Sequence, residues 1–160
     1  MQKITVLCVG KLKEKFYLDA VAEYTKRLQR CCKLEVIELP ESKLPEEPSP
    51  AQIQQALDTE AAAISAKLPR GGALVAMCIE GRQISSDELA QFLAQRAGSG
   101  AGDVAFVIGS SHGLSDEVKK AAALKFSMGR ITMPHQLARL VLTEQIYRAC
   151  TINVGMKYHK

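Results

Sequence analysis

The chain has 160 residues, of which 47% are hydrophobic and 24% charged, and its formal net charge at pH 7 is +4. This balance is typical of a soluble globular protein and excludes disordered, collagen-like and coiled-coil chains. No apolar run approaches the roughly 18 residues of a membrane-spanning helix, and the first residues lack the long apolar stretch of a signal peptide, so we expect a cytoplasmic protein.

Five apolar, β-branched runs predict strands, and the stretches between them have helical periodicity. The strands are predicted at residues 4–9, 34–39, 73–79, 104–108 and 127–133. The helices are predicted at 16–28, from 50 to just before 69, from 85 onward, briefly after 115, and at 136–150. The β-α order repeats five times, which predicts one domain over residues 1–160, a three-layer α/β fold with a mostly parallel sheet of five to six strands.

The charge is unevenly distributed along the chain. Residues 38–60 hold six acidic residues and one lysine, a local net charge of −5, so the remainder carries +9. Basic clusters of this kind suit an anionic partner such as RNA. A solvated mixed surface explains the charge pattern equally well.

Ligands of open α/β sheets bind beyond the carboxyl ends of the strands. The turns at those ends include a glycine-rich one, in which Gly109 and Gly113 would let backbone approach a ligand closely. Gly129, inside the last predicted strand, indicates either a bulge or the close approach of a ligand. An ordinary turn and an ordinary bulge remain open as explanations.

Several common chemistries are excluded by missing motifs. The chain has no dinucleotide-binding Gly-x-Gly-x-x-Gly, no P-loop, no Gly-x-Ser-x-Gly elbow and no His-Glu-x-x-His. Its three histidines and five cysteines show no metal-ligand spacing, so we expect free thiols and no metal. An NTPase, a hydrolase of the usual kinds and a metalloenzyme are therefore excluded.

The last predicted helix is apolar on two neighbouring faces. Leu142 and Ile146 represent one face, and Leu140 and Val141 the other. Such a wide apolar surface predicts burial against the sheet and against a partner subunit, with Ile146 as the candidate interface residue. The chain then ends in Lys-Tyr-His-Lys at 157–160, which is either a frayed terminus or a functional tail.

Taken together, these residues resemble the small SPOUT-class methyltransferases of the ribosomal RNA large subunit methyltransferase H family. That family methylates N3 of a pseudouridine in helix 69 of 23S ribosomal RNA. The matching motifs are Val-Gly-Lys-Leu-Lys at 9–13, Phe-Val-Ile-Gly at 106–109, Thr-Met-Pro-His-Gln at 132–136, Glu-Gln-Ile-Tyr-Arg-Ala at 144–149 and Tyr-His-Lys at 158–160. The resemblance extends over the whole chain.

The resemblance implies a homodimer with a C-terminal trefoil knot that holds S-adenosylmethionine. Carried over by position, the cofactor-binding residues would be Met77, Gly109, Met128, Gly129, Arg130, Ile131, Thr132 and Met133. The partners would be a second copy and 23S rRNA in the assembled ribosome, with no membrane and no metal.

Methylation of a ring N–H requires that the imide lose its proton. A group that titrates near neutral pH suits this task, so His159, His135 and His112 are the candidates for the base, and His159 is favoured. Tyr158 and Arg139 complete the catalytic set, while Lys160, His135 and Gln136 are expected to contact the RNA. Water remains an alternative proton acceptor.

Two rival functions remain open. A non-catalytic RNA-binding module of the same fold would fill the pocket with bulky or charged residues, whereas this chain retains Gly109 and Gly129. A knotted methyltransferase acting on tRNA usually carries an added RNA-binding domain, for which 160 residues leave no room.

Overall fold

The structure, a computed structural model, describes residues 1–100 and 102–160. Five strands alternate with five helices within this part of the chain. In order they are β1 (Lys3–Val9), α1 (Lys15–Leu28), β2 (Lys33–Leu39), α2 (Pro50–Ser65), β3 (Ala73–Gln83), α3 (Ser86–Gly98), β4 (Val104–Ile108), α4 (Asp116–Ala121), β5 (Leu124–Ser127) and α5 (His135–Asn153).

The strands form one sheet in the order β2-β1-β4-β3-β5, and all of the strand pairings in the described residues are parallel. Each sheet face is covered by helices, because alternate side chains of the central strands enter two separate apolar cores. Helices α1, α3 and α5 pack on one face, and α2 and α4 on the other. The predicted three-layer α/β class is confirmed, whereas the knot stays a prediction with which this strand order is compatible.

Polar caps fix where three of the helices begin. The hydroxyls of Ser49 and Ser85 accept hydrogen bonds from the backbone N–H three residues on, in full capping boxes, and Ser115 caps α4 in the same way without the reciprocal bond. The caps predicted at Ser85 and Ser115 are confirmed.

The fifth strand differs from its prediction. It pairs with β3 over Leu124–Ser127, and residues 128–134, which we name the pocket loop, leave the sheet. The chain turns here because the hydroxyl of Ser127 bonds both the N–H and the carbonyl oxygen of Gly129, and Gly129 has φ +121°. A positive φ is favoured by glycine and is incompatible with a regular strand, so the chain leaves the sheet here. The predicted strand at 127–133 was therefore wrong in both position and extent.

Helix α5 buries only one of its two apolar faces. Leu142 and Ile146 have no exposed surface, whereas Leu140 and Val141 are half-buried. The prediction that Ile146 lies at a subunit interface was wrong, because this side chain is fully enclosed by the core of its own chain. Across the described residues, no helix combines the length and apolar character needed to cross a membrane.

Candidate active site

A cavity of about 380 Å³ lies at the carboxyl ends of β3, β4 and β5. This is the edge at which the sequence predicts a ligand, and the volume suits a small-molecule cofactor. Three segments enclose it: the end of β3, the glycine turn (residues 109–113) and the pocket loop. The start of α5 closes one side through His135 and Ala138.

The glycine turn depends on the absence of a side chain at Gly109. A Cβ atom there would lie 2.2 Å from the carbonyl oxygen of Gly113, a distance that real Cβ atoms do not reach. The turn is closed by a 2.8 Å hydrogen bond from the N–H of Gly113 to the carbonyl oxygen of Ser110. Backbone rather than side chain therefore forms this wall of the cavity.

Most of the residues predicted to bind the cofactor do line the cavity. Those that do so are Met77, Gly109, Met128, Gly129, Ile131, Thr132 and Met133. Arg130 does not line the cavity, although both of its neighbours in the chain do. Sequence reasoning missed other lining residues, including Ile79, Glu80, Leu114, Lys119 and Phe126. They come from a bulge in β3, from the segment just before α4, from α4 itself and from the relocated β5.

Two of the three candidate bases, His112 and His135, line the cavity of their own chain. Gln136, which was expected to contact RNA, instead uses its side-chain oxygen within the fold. This oxygen accepts hydrogen bonds from the backbone N–H groups of Lys13 (2.9 Å) and Glu14 (3.3 Å). Gln136 thus ties the start of α5 to the segment that precedes α1.

Arg139 is buried in a polar anchor between α5 and the first two strands. Its Nη1 lies 2.6 Å from Oε1 of Glu38, and its Nη2 donates to the carbonyl oxygen of Gly10 at 3.0 Å. Burial would raise the pKa of the Glu38 carboxyl, but the N–H of Leu12 and the guanidinium of Arg139 outweigh burial and hold that pKa below its usual value. The guanidinium is committed to these contacts and does not line the cavity.

The tail (residues 158–160) is docked on α5 and α3. The Tyr158 ring packs edge-on against Tyr147 with centroids 4.7 Å apart, and the guanidinium of Arg148 lies 4.7 Å from the Tyr158 ring centroid. Nε2 of His159 lies 3.6 Å from Oδ2 of Asp87, at the start of α3. In the described part of the chain, the tail residues do not line the cavity of their own chain.

The family model described as "Predicted SPOUT methyltransferase" matches residues 2–159, nearly the whole chain. The chain belongs to the SPOUT methyltransferase family. It is therefore an enzyme, and its methyl donor is S-adenosylmethionine.

Curated relatives agree with this SPOUT assignment. The chain is 46% identical over 158 residues to "Ribosomal RNA large subunit methyltransferase H" of Streptococcus uberis, covering 99% of both chains. It is 48% identical over 157 residues to the protein of the same name in Leuconostoc mesenteroides, covering 98% of this chain and 99% of that one. A solved structure of a probable methylase family protein from Haemophilus influenzae Rd KW20 shares the fold, with a TM-score of 0.51 at 14% identity, over 99% of this chain and 70% of that one.

The cavity of this SPOUT methyltransferase fits the donor chemically. An adenosyl group requires apolar walls and backbone hydrogen-bonding groups, and the lining supplies both. The apolar walls come from Met77, Ile108, Leu114, Phe126 and Met133, and the backbone groups from the glycine turn and the pocket loop. The bound donor supplies an electrophilic methyl group on a sulfonium. Within the described residues no group of three or more His, Cys, Asp or Glu side chains could hold a metal ion.

Proposed function

We propose that this enzyme methylates N3 of a pseudouridine in helix 69 of 23S rRNA, acting on assembled ribosomes in the cytoplasm. The observation that carries the proposal is the 46–48% identity, over nearly the full length, to relatives named as large-subunit ribosomal RNA methyltransferases. The open cavity favours an active enzyme over a non-catalytic module, because the described side chains that line it, Glu80 and Lys119 included, leave about 380 Å³ free.

The proposed enzyme works as a homodimer in which each tail serves the partner's cavity. In one chain, Tyr158 and His159 are anchored on α5 and α3, apart from the cavity lining. A second copy could bring the tail and cavity together, and the half-buried face of α5 around Leu140 and Val141 is available to hold it. Two-fold pairing would create two equivalent composite sites.

His159 is the proposed base for the imide proton. Its Nδ1 lies 3.4 Å from Nη1 of Arg148 and its Nε2 lies 3.6 Å from Oδ2 of Asp87. A neutral imidazole has one ring nitrogen with a lone pair that can accept a proton. The Tyr158 ring then offers a stacking face for a base of the RNA, and Lys160 a contact for phosphate. His135, which lines the cavity, lies where it could orient the target base. We assign Arg139 and Gln136 a positioning role, since both hold the start of α5 in place.

The RNA would approach along the carboxyl edge of the sheet. The turn after β1 carries Lys11 and Lys13, and Lys15 begins α1. Because β1 pairs with β4 in parallel, this turn and the glycine turn emerge at the same edge. Phosphate contacts by these lysines would orient the enzyme on the ribosome without reading sequence.

Labelled S-adenosylmethionine tests this proposal. We expect the label to enter 23S rRNA when assembled ribosomes are the substrate, and to enter protein-free rRNA and tRNA far more weakly. Label in tRNA would favour the rival function as a tRNA methyltransferase. An absence of label in every RNA would contradict the proposal, and a failure to bind the donor as well would favour the non-catalytic module.

A further inference from the structure

Strand β3 carries a wide bulge where it passes the cavity. Both Met77 and Arg82 are in register with Phe126 of β5, so the four residues between them (78–81, the β3 bulge) have no partner in that ladder. Bulges of this kind redirect side chains next to functional sites. Cys78, Ile79 and Glu80 from the β3 bulge line the cavity.

Gly81, the last residue of the β3 bulge, lies directly against the backbone of β5. A Cβ atom on Gly81 would lie 2.7 Å from both the carbonyl carbon and the oxygen of Lys125, so the two backbones are in direct contact there. No side chain fits at this position without a shift of β5. The course of the bulge, and with it the placement of Glu80 at the cavity, is thus fixed by backbone packing.

Glu80 is the one carboxylate and Lys119 the one ammonium among the described residues that line the cavity. The two form an ion pair between the β3 bulge and α4, in which the Lys119 side chain is 23% exposed and the Glu80 side chain 57% exposed. Their hydrogen bond lowers the pKa of Glu80 and raises that of Lys119, so both groups are charged at neutral pH. The remaining titratable lining groups are Cys78, His112 and His135.

We propose that Glu80 and Lys119 form the subsite for the amino-acid end of S-adenosylmethionine, with Glu80 accepting from the α-ammonium and Lys119 donating to the α-carboxylate. That end of the donor is a zwitterion, and burying it requires opposite charges in matching places. Glu80 and Lys119 together have no net charge, so the pair meets this need without leaving a net charge in the cavity. The inference rests on donor binding in this cavity and does not depend on the RNA target.

Calorimetric titration with three ligands tests the subsite. The ligands are S-adenosylmethionine, its decarboxylated form, which keeps the ammonium, and methylthioadenosine, which lacks the whole amino-acid end. We expect Glu80→Gln to weaken both ammonium-bearing ligands by about tenfold or more and to leave methylthioadenosine unchanged, because a charge-assisted hydrogen bond is lost. Lys119→Met should weaken only S-adenosylmethionine.

A matched control separates this role from a purely structural one. Glu35→Gln breaks the Lys3–Glu35 pair on β1 and β2, which does not line the cavity, and should leave the affinity for all three ligands unchanged. If Glu80→Gln and Lys119→Met weaken methylthioadenosine as much as S-adenosylmethionine, the pair merely fastens the bulge to α4 and the proposal is overturned. Unchanged affinities overturn it too. Neither outcome bears on which RNA is methylated, which the ribosome assay decides separately.

Discussion

The hydroxyl of Tyr158 donates a hydrogen bond to Oε1 of Glu144, with 3.0 Å between the oxygens, and so fastens the end of the chain to the middle of α5. The same carboxylate oxygen lies 2.6 Å from Nη2 of Arg148. The spacing of Glu144 and Arg148, one helical turn apart, is typical of an exposed ion pair, but their side chains are only 17% and 26% exposed. Glu144 and Arg148 form the surface on which Tyr158 packs. The interpretation of residues 157–160 as a frayed terminus was therefore wrong.

Deletion of residues 158–160 should destabilise the protein. The sequence alone suggests no effect on stability, but the structure shows a ring packed on Tyr147, a cation–π contact with Arg148 and a bond to Glu144. We expect the free energy of unfolding in urea to fall by about 1–3 kcal/mol. Lys160→Ala, a change at an exposed residue, is the control and should have no effect. A deletion variant as stable as the full chain would contradict the docked tail.

Gly109→Ala should weaken donor binding. The new methyl group would meet the Gly113 carbonyl oxygen at 2.2 Å, so the glycine turn must shift. We expect the affinity for S-adenosylmethionine, measured by calorimetry, to fall by about tenfold or more, since forcing a methyl group into a packed site costs about 1–3 kcal/mol. Gly98→Ala, at the end of α3 with open space around its Cβ, is the matched control. Equal affinities in the two variants would remove the glycine turn from the site.

The two faces of α5 should respond differently to a charge. Ile146→Glu would bury a carboxylate in the core and should cost about 4 kcal/mol or more, so the chain itself unfolds. Val141→Glu, on the half-buried face, should leave a folded chain but separate the proposed homodimer. Circular dichroism and sedimentation distinguish the two results. A folded Val141→Glu variant that stays dimeric would exclude this face as the interface.

Mixed dimers test whether the tail acts on the partner's cavity. One parent is Gly109→Ala, with a defective cavity and an intact tail, and the other lacks residues 158–160. At a donor concentration well below the Kd of Gly109→Ala, each parent should be nearly inactive alone. An equal mixture should then recover about a quarter of the wild-type rate, because half of the dimers are mixed and each contains one intact composite site. No recovery in dimers that have demonstrably exchanged subunits would mean that tail and cavity belong to the same chain.

The sequence predicts the sheet well because its central strands are continuous apolar runs. The predicted bounds of β1, β2 and β4 agree with the structure to within one residue, and most of the predicted cofactor residues line one cavity. For β1 and β4, burial on both sheet faces demands apolar side chains at nearly every position. Strand β2 lies at the edge of the sheet and is recognised instead by the β-branched Val36 and Ile37 between its two glutamates.

The sequence pattern fails to predict the structure where backbone conformation or contacts between distant residues determine it. The apolar run around Gly129 predicts a strand, but the positive φ of Gly129 and its hydrogen bonds to the Ser127 hydroxyl turn the chain out of the sheet. The β3 bulge depends on the approach of Lys125, which is distant in sequence. The partner of Arg139, Glu38, lies 101 residues away, so no local spacing could distinguish a buried anchor from a catalytic group.

Mapping the transferred methyl group is the decisive test of the proposed RNA target. Ribosomes from cells that lack the modification are incubated with the enzyme and S-adenosylmethionine, and the 23S rRNA is digested and sequenced by mass spectrometry. We expect one added methyl group, on N3 of a pseudouridine in helix 69, when assembled ribosomes are supplied. A methyl group found on any other nucleotide, or none in ribosomes treated with enzyme that binds the donor, would contradict the proposed target.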